Sequence, residues 1–340
     1  MKVLVTGGAG YIGSTIASAL EDTGHTPILL DSLTRGRAEF VQGRAFYEGD
    51  ISDAALLERI FKGHPEIQAC IHCAALILVP ESVAQPYLYY TENVAKSLEL
   101  FKNLNALGCN RVVFSSSASI YEISDGSQVT ENSRVKAQSP YARTKQIMEM
   151  VLEDFSKAYG LNAIVLRYFN PIGADPKMRS GMQIKAVSHI VPKLVEVAMG
   201  REAVFKVHGT EYPTRDGTAV RDYLHIWDLA MAHVKAVEEF DNALEKHRAN
   251  TGDSSLGFLI INLGTGKGVT VRELVAAFER VYGKPVPTED HLPRPGDVAG
   301  VYANPDRALE LIGWKVEHTI DEGIATSLEW GKRRKDMLGY

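Results

Sequence analysis

Through most of its length the chain alternates short, nearly unbroken apolar runs with longer stretches in which apolar residues recur every three or four positions. The runs fall at 2–6, 26–31, 45–51, 69–75, 111–117, 161–169 and 258–263. Short apolar runs without polar alternation predict strands buried on both faces, as in a parallel sheet. The periodic stretches predict helices at 14–20, 54–62, 87–107, 141–159 and 227–240. Ser139 is a candidate N-cap for the helix at 141–159, with Pro140 at its first position. Strand and helix in alternation predict an α/β fold, a doubly wound parallel sheet.

Beyond Pro171 the pattern loosens into loops rich in Gly, Pro and charge. A helix is expected at 189–199, a strand at 204–208, a helix to Tyr282 opened by a Thr270–Glu273 capping box, and a last helix from Asp321 toward Lys335. This predicts a first domain over 1–170 and a second, smaller mixed α/β substrate domain over 171–340, with elements near 225–263 returned to the main sheet. The polar, Gly- and Ser-containing stretch 242–257 reads as a surface loop.

Composition narrows the classes. Against 42 acidic residues stand 37 basic ones, a net charge of -5, and no Lys/Arg-rich run offers a stripe for nucleic acid. No apolar run approaches the roughly 20 residues of a membrane span, and the chain enters a strand at once, so a cytoplasmic protein without membrane contact is expected. The spacing Cys70-x-x-Cys73 invites a metal or redox reading. Its place inside an apolar strand, where alternate side chains point to opposite faces, favours packing, and no metal site is expected.

The first strand runs into Gly7-Gly-Ala-Gly10-Tyr11-Ile12-Gly13 and then a helix. Gly7 permits a tight turn, Gly10 lets backbone approach a pyrophosphate, and Gly13 lets helix pack on strand, with the phosphates on free N–H groups of the helix N-terminus. The acidic residue expected some way on is Asp31, closing the second strand. A carboxylate there accepts from ribose hydroxyls and repels a 2′-phosphate, which predicts NAD over NADP, although Arg35 and Arg37 follow closely. Asp50 closes the third strand on the adenine side.

Tyr141 and Lys145 lie four apart at the start of a helix and share a face. A phenol with a reference pKa of about 10 is a poor base, but an ammonium and an oxidised nicotinamide beside it both favour phenolate. Ser117, at the polar end of the 111–117 strand, supplies a second hydrogen bond to a substrate hydroxyl. These three are the candidate catalytic residues.

With these residues in place the chain resembles the extended short-chain dehydrogenase/reductases, which share the Rossmann fold, and within them the UDP-glucose 4-epimerases. The resemblance rests on the glycine motif, Ser115-Ser-Ser-Ala-Ser-Ile-Tyr121, Tyr141-Ala-Arg-Thr-Lys145, Leu166-Arg-Tyr-Phe-Asn170-Pro, and above all the stretch from Tyr212 to His225. It implies an NAD site of Gly7, Gly10, Tyr11, Ile12, Gly13, Asp31, Asp50, Ile51, Cys73, Ala74, Ala75, Asn93, Lys145 and Phe169. It implies that Asn170, His189, Arg221, Tyr223, Arg294 and Asp297 hold UDP, the arginines meeting the diphosphate with forked donors. It also implies a homodimer through the helices at 87–107 and 141–159. Two departures stand out: Ile77 where some epimerases carry lysine, and Glu122 where glycine commonly follows the tyrosine.

Similar dehydratases place an Asp-Glu pair after the position of Ser117, whereas here Ala118 and Ser119 follow. Without a carboxyl pair elimination lacks its acid and base, which leaves inversion at C4 of a UDP-hexose through a 4-keto sugar. Val301 aligns with a gate that excludes N-acetyl groups when it is tyrosine, so both the glucose/galactose pair and the N-acetylated pair are expected substrates; simple strand packing is the other reading of Val301. The alternatives are epimerisation of another UDP sugar, such as a glucuronate or pentose, or a dinucleotide sensor without catalysis.

Overall fold

Seven parallel strands form the central sheet of the computed structural model, which describes residues 1–122, 125–185, 189–252, 257–293 and 299–340. They are β1 (Lys2–Thr6), β2 (Thr26–Asp31), β3 (Ala45–Glu48), β4 (Ile67–His72), β5 (Arg111–Ser117), β6 (Asn162–Tyr168) and β7 (Phe258–Leu263). Their spatial order is β7-β6-β5-β4-β1-β2-β3. The order reverses between β1 and β4, which opens a crevice beyond the carboxyl ends of those strands, where ligands of open parallel sheets sit.

Each strand feeds two cores by simple alternation. Val3, Val5, Leu29, Ile71 and Val113 face one way, onto the helices Tyr11–Asp22 and Ile226–Glu238. Leu4, Ile28, Cys70, Val112 and Phe114 face the other, onto Ala54–Gly63, Lys96–Ala106 and Pro140–Tyr159. The sheet is therefore covered on both faces. Cys70 is a packing residue, its thiol pushed well up by burial, and among the described residues no cluster of metal-ligating side chains occurs. No described helix is long and apolar enough to cross a membrane.

A separate core, with Val191, Leu194, Tyr223, Leu274, Phe278 and Ile324, gathers the helices Ile190–Ala198, Val271–Tyr282 and Ile320–Leu338. The Thr270–Glu273 capping box is present, and a second, Thr319–Glu322, opens the last helix.

Three differences from expectation matter. The stretch expected as a loop at 242–257 begins as a helix, Phe240–Thr251, closed by Gly252 at φ 73°. Its buried stripe is only Phe240, Ala243 and Leu244, too narrow to stand out from the polar remainder. The helix expected at 87–107 runs as Pro86–Tyr90, a π-turn over Thr91–Ala95, and Lys96–Ala106, and the turn carries the buried Asn93. Finally, Asp125–Val129 pairs in parallel with Gly300–Ala303, a contact between distant segments that no local pattern announced.

Candidate active site

The glycine turn is built against the end of β4. Gly7 sits at φ 71°, and a Cβ there would lie 2.7 Å from the Ala74 nitrogen; one on Gly13 would lie 2.2 Å from the Gly7 oxygen. Gly10 is the N-cap of Tyr11–Asp22, and no side chain caps it, so the first-turn N–H groups face the crevice end unclaimed by a cap. Tyr11 anchors the turn instead, its hydroxyl donating to Gly173 O at 2.6 Å.

Asp31 is buried and accepts from Ala9 N at 3.0 Å and Leu33 N at 2.8 Å. Burial pushes its carboxyl up while those two bonds pull it down. Arg35 pairs with Glu81 at 2.6 Å and Arg37 with Glu39 at 3.0 Å. Both guanidiniums are thus engaged with carboxylates, which suits an unphosphorylated ribose. Asp50 is held by Lys96 at 2.6 Å, and Ile51 is buried beside it. Ile12 is half-buried against the core, and the exposed Ile77 brings no charge to this crevice.

Asn93 braces the backbone beside the expected cofactor site. Its oxygen accepts from Leu76 N at 2.8 Å, and its amide donates to Leu76 O at 2.9 Å and Thr144 Oγ1 at 3.1 Å. The side chain is spent on pinning the backbone that follows Cys73, Ala74 and Ala75. These residues fit the dinucleotide that the glycine turn implies.

The expected catalytic group lies at the end of β5. Ser139 caps the Pro140–Tyr159 helix through Ala142 N at 3.2 Å, with Pro140 at its first position. Tyr141 and Lys145 are both buried, and the Ser117 hydroxyl accepts from Ser119 N at 3.2 Å. Lys145 turns to β5, donating to Ser115 O at 2.7 Å over the Phe114 ring. Burial brings its ammonium down to about 8. Burial pushes the Tyr141 phenol up, and the Ser117 hydroxyl opposes the shift.

Ser115 and His233 were not anticipated. His233 Nδ1 lies 2.8 Å from Leu229 O, which requires the proton there and leaves Nε2 to accept from the Ser115 hydroxyl at 2.9 Å. The Cys73 thiol, 3.1 Å from the same hydroxyl, completes the group. Ser115 lay within a visible serine run, but nothing local marked His233.

On the substrate side, Asn170–Ile172 pairs in parallel with Tyr223–His225. Asn170 donates from N and Nδ2 to Asp222 O at 3.0 and 3.2 Å. Arg221 Nη1 reaches Val220 O at 2.7 Å, and the Tyr223 hydroxyl is buried with no hydrogen-bond partner among the described residues. Phe169, Tyr121 and Val301 form one small apolar cluster with Ala118. Glu122 is held by Arg134 at 3.0 Å and Lys136 at 2.9 Å, so it fixes its loop to the surface. His189 is exposed at the N-cap of Ile190–Ala198. Arg294 and Asp297 lie outside the described residues.

A nucleotide-binding α/β fold with a tyrosine, a lysine and a serine at the carboxyl end of β5 defines the class, and comparison with known proteins places the chain within it. Residues 3–252 match the model of the NAD dependent epimerase/dehydratase family, and the chain belongs to that family. It is 41% identical over 328 residues to a UDP-glucose 4-epimerase of Rhizobium leguminosarum bv. trifolii, covering 96% of each chain. Among solved structures it is similar to a UDP-glucose 4-epimerase from Stenotrophomonas maltophila with bound NAD and formylated UDP-arabinopyranose, at 36% identity and a TM-score of 0.91, with 99% of each chain covered. A UDP-glucose 4-epimerase from Bifidobacterium longum in complex with NAD+ and UDP matches at 34% identity and a TM-score of 0.88, with 100% of each chain covered.

Proposed function

We propose that the protein is an NAD-dependent isomerase that inverts C4 of a UDP-hexose, interconverting UDP-glucose and UDP-galactose and also accepting the N-acetylated pair. The observation that carries this reading is the group of Ser117, Tyr141 and Lys145 at the end of β5, where Lys145 donates to Ser115 O at 2.7 Å, with Ala118 and Ser119 following where an eliminating enzyme would need carboxyls. NAD, when bound, accepts a hydride from C4 and later returns one. Gly7, Gly10, Gly13, Asp31 and Asp50 hold its adenosine diphosphate half, and Lys145 and Phe169 lie toward the nicotinamide.

Tyr141 takes the C4 hydroxyl proton as the hydride leaves, and Ser117 keeps the sugar oxygen aligned with it. Burial pushes the Tyr141 phenol up in the protein without cofactor, so its service as a base depends on the cationic nicotinamide and the Lys145 ammonium favouring phenolate once NAD is bound. Arg221, Tyr223 and Asn170, with His189, Arg294 and Asp297, hold UDP while the keto sugar turns its other face. Residues 1–170 form the cofactor part and 171–340 the substrate part, with the elements near 225–263 shared.

The same reading makes the protein a cytoplasmic homodimer joined through the two helical stretches at 87–107 and 141–159, on which Tyr87, Leu98 and Met150 are exposed. Three unpaired cysteines suit that compartment. A sedimentation measurement that reads only monomer overturns the dimer.

The deciding experiment incubates purified protein with UDP-glucose, its N-acetylated analogue, UDP-glucuronate and a UDP-pentose and separates the products. Conversion of UDP-glucose to UDP-galactose supports the reading. Turnover of the glucuronate or pentose alone would make the protein a different epimerase, and no conversion of any sugar would favour a sensor.

A further inference from the structure

Asp222 is fully buried between Arg221 and Tyr223. Its Oδ1 accepts from Thr265 N at 2.8 Å and Thr265 Oγ1 at 2.7 Å, and its Oδ2 from Ala303 N at 3.1 Å and Gly266 N at 3.2 Å. A buried carboxylate is costly unless donors surround it. Here four do. Gly264 makes the space, since a Cβ on it would lie 2.5 Å from Oδ2. Meanwhile the Asp222 carbonyl oxygen takes both Asn170 bonds.

The strand that carries Val301 is stitched to the same place a second time. Val220 N donates to Ala299 O at 2.7 Å, and Arg221 Nη1 reaches that oxygen at 3.3 Å. Gly300, at φ 105°, has no room for a side chain: a Cβ would lie 1.9 Å from Val220 O. Asp222 thus joins Asn170, Arg221, Tyr223 and Val301 into one wall.

We infer that Asp222 is a positioning residue that keeps the oxidised sugar in the pocket between the two hydride transfers by locking this wall. The inference rests on the epimerase reading above. A keto sugar that must turn over cannot be retained by its own ring, so retention falls to the wall that grips the nucleotide. If the wall loosens, the 4-keto sugar leaves with its carbonyl formed, the hydride stays on the nicotinamide and the proton on Tyr141. The enzyme is then reduced and stalled.

The test is Asp222→Asn in the purified holoenzyme. The amide keeps one acceptor but turns its NH2 on two N–H donors, so half the ties fail at nearly constant volume. With bound NAD retained, the variant should show KM for UDP-glucose raised about tenfold. Its nicotinamide absorbance should shift to the reduced form over successive turnovers, with an equal amount of 4-keto sugar trapped by a carbonyl reagent. Thr265→Val, which removes one donor only, should give the same signature more weakly and serves if Asp222→Asn does not fold. Leu274→Ala, destabilised in the core of the smaller lobe, should not give it. A folded variant that shows neither the raised KM nor a reduced nicotinamide, or that simply loses its NAD, overturns the inference. A wild-type protein that converts no UDP-hexose overturns the functional reading and the inference together.

Discussion

Tyr141 and Lys145 lie one helical turn apart against one strand: Ser115 O receives the Lys145 ammonium at 2.7 Å, and the Ser117 hydroxyl counters the burial of the phenol. The end of β5 is therefore the template for the candidate catalytic group. Helix periodicity puts the two residues on one face, and the strand sets how far each reaches.

In the proposed reaction the Tyr141 phenol has one function that its ring cannot replace. Tyr141→Phe keeps the packing of a buried side chain and deletes the proton acceptor, so epimerisation should fall by about 10²–10⁴-fold. UDP-sugar affinity and NAD content should change little. Near-normal turnover with NAD in place would remove Tyr141 from the mechanism.

Lys145 should leave a mark on stability as well as on rate. Its ammonium titrates at about 8 in the folded protein, against 10.5 for an ordinary lysine. Between those values the unfolded chain binds the proton more readily than the folded one, so stability rises with pH across that window and is lost as pH falls through about 8. The burden on the cofactor-free fold below the window is about 3 kcal/mol. Thermal unfolding of NAD-depleted wild type should therefore rise from about pH 8 to pH 10.5 relative to Lys145→Met. Parallel curves for the two proteins would mean that the ammonium is not strained by burial.

How much of this was legible in the chain depends on the distance over which each residue acts. The glycine turn, Asp31, Ser117, Tyr141 and Lys145 declared themselves because strand and helix periods place neighbours in sequence at one strand end. Asp222 did not, because its partners at Thr265 and Ala303 lie 43 and 81 residues away and contribute mainly backbone N–H groups, which carry no residue identity. His233 is 118 residues from Ser115 and looked like one polar residue on an apolar helix. The 242–257 error has the opposite cause: local polarity hid a helix that needs only three buried residues to dock.

Asp31 is the residue expected to select the dinucleotide. With Arg35 and Arg37 paired to Glu81 and Glu39, no guanidinium of that loop is left to neutralise a 2′-phosphate beside the carboxylate. Denaturing the purified protein should release NAD. Asp31→Ala removes a charged acceptor and also frees Ala9 N, which should weaken NAD retention by about 10–100-fold. Recovery of NADP alone would contradict the assignment.

Val301 sets the last expectation, on which sugars fit. It is 6% exposed in the cluster with Ala118, Tyr121 and Phe169, on a strand tied to Arg221 and Asp222, so a change there cannot drift away from the pocket wall. A tyrosine at this position has two places to go. If it turns into the sugar pocket it takes the space of a C2 N-acetyl group, and turnover of the N-acetylated pair should fall while the glucose/galactose pair is spared. If it is forced into the cluster, overpacking should cost about 1–3 kcal/mol and depress both reactions alike. Assaying Val301→Tyr on both pairs, with its melting temperature beside them, separates these outcomes: selective loss with an unchanged melting temperature marks a gate, and a uniform loss or none at all marks a packing residue.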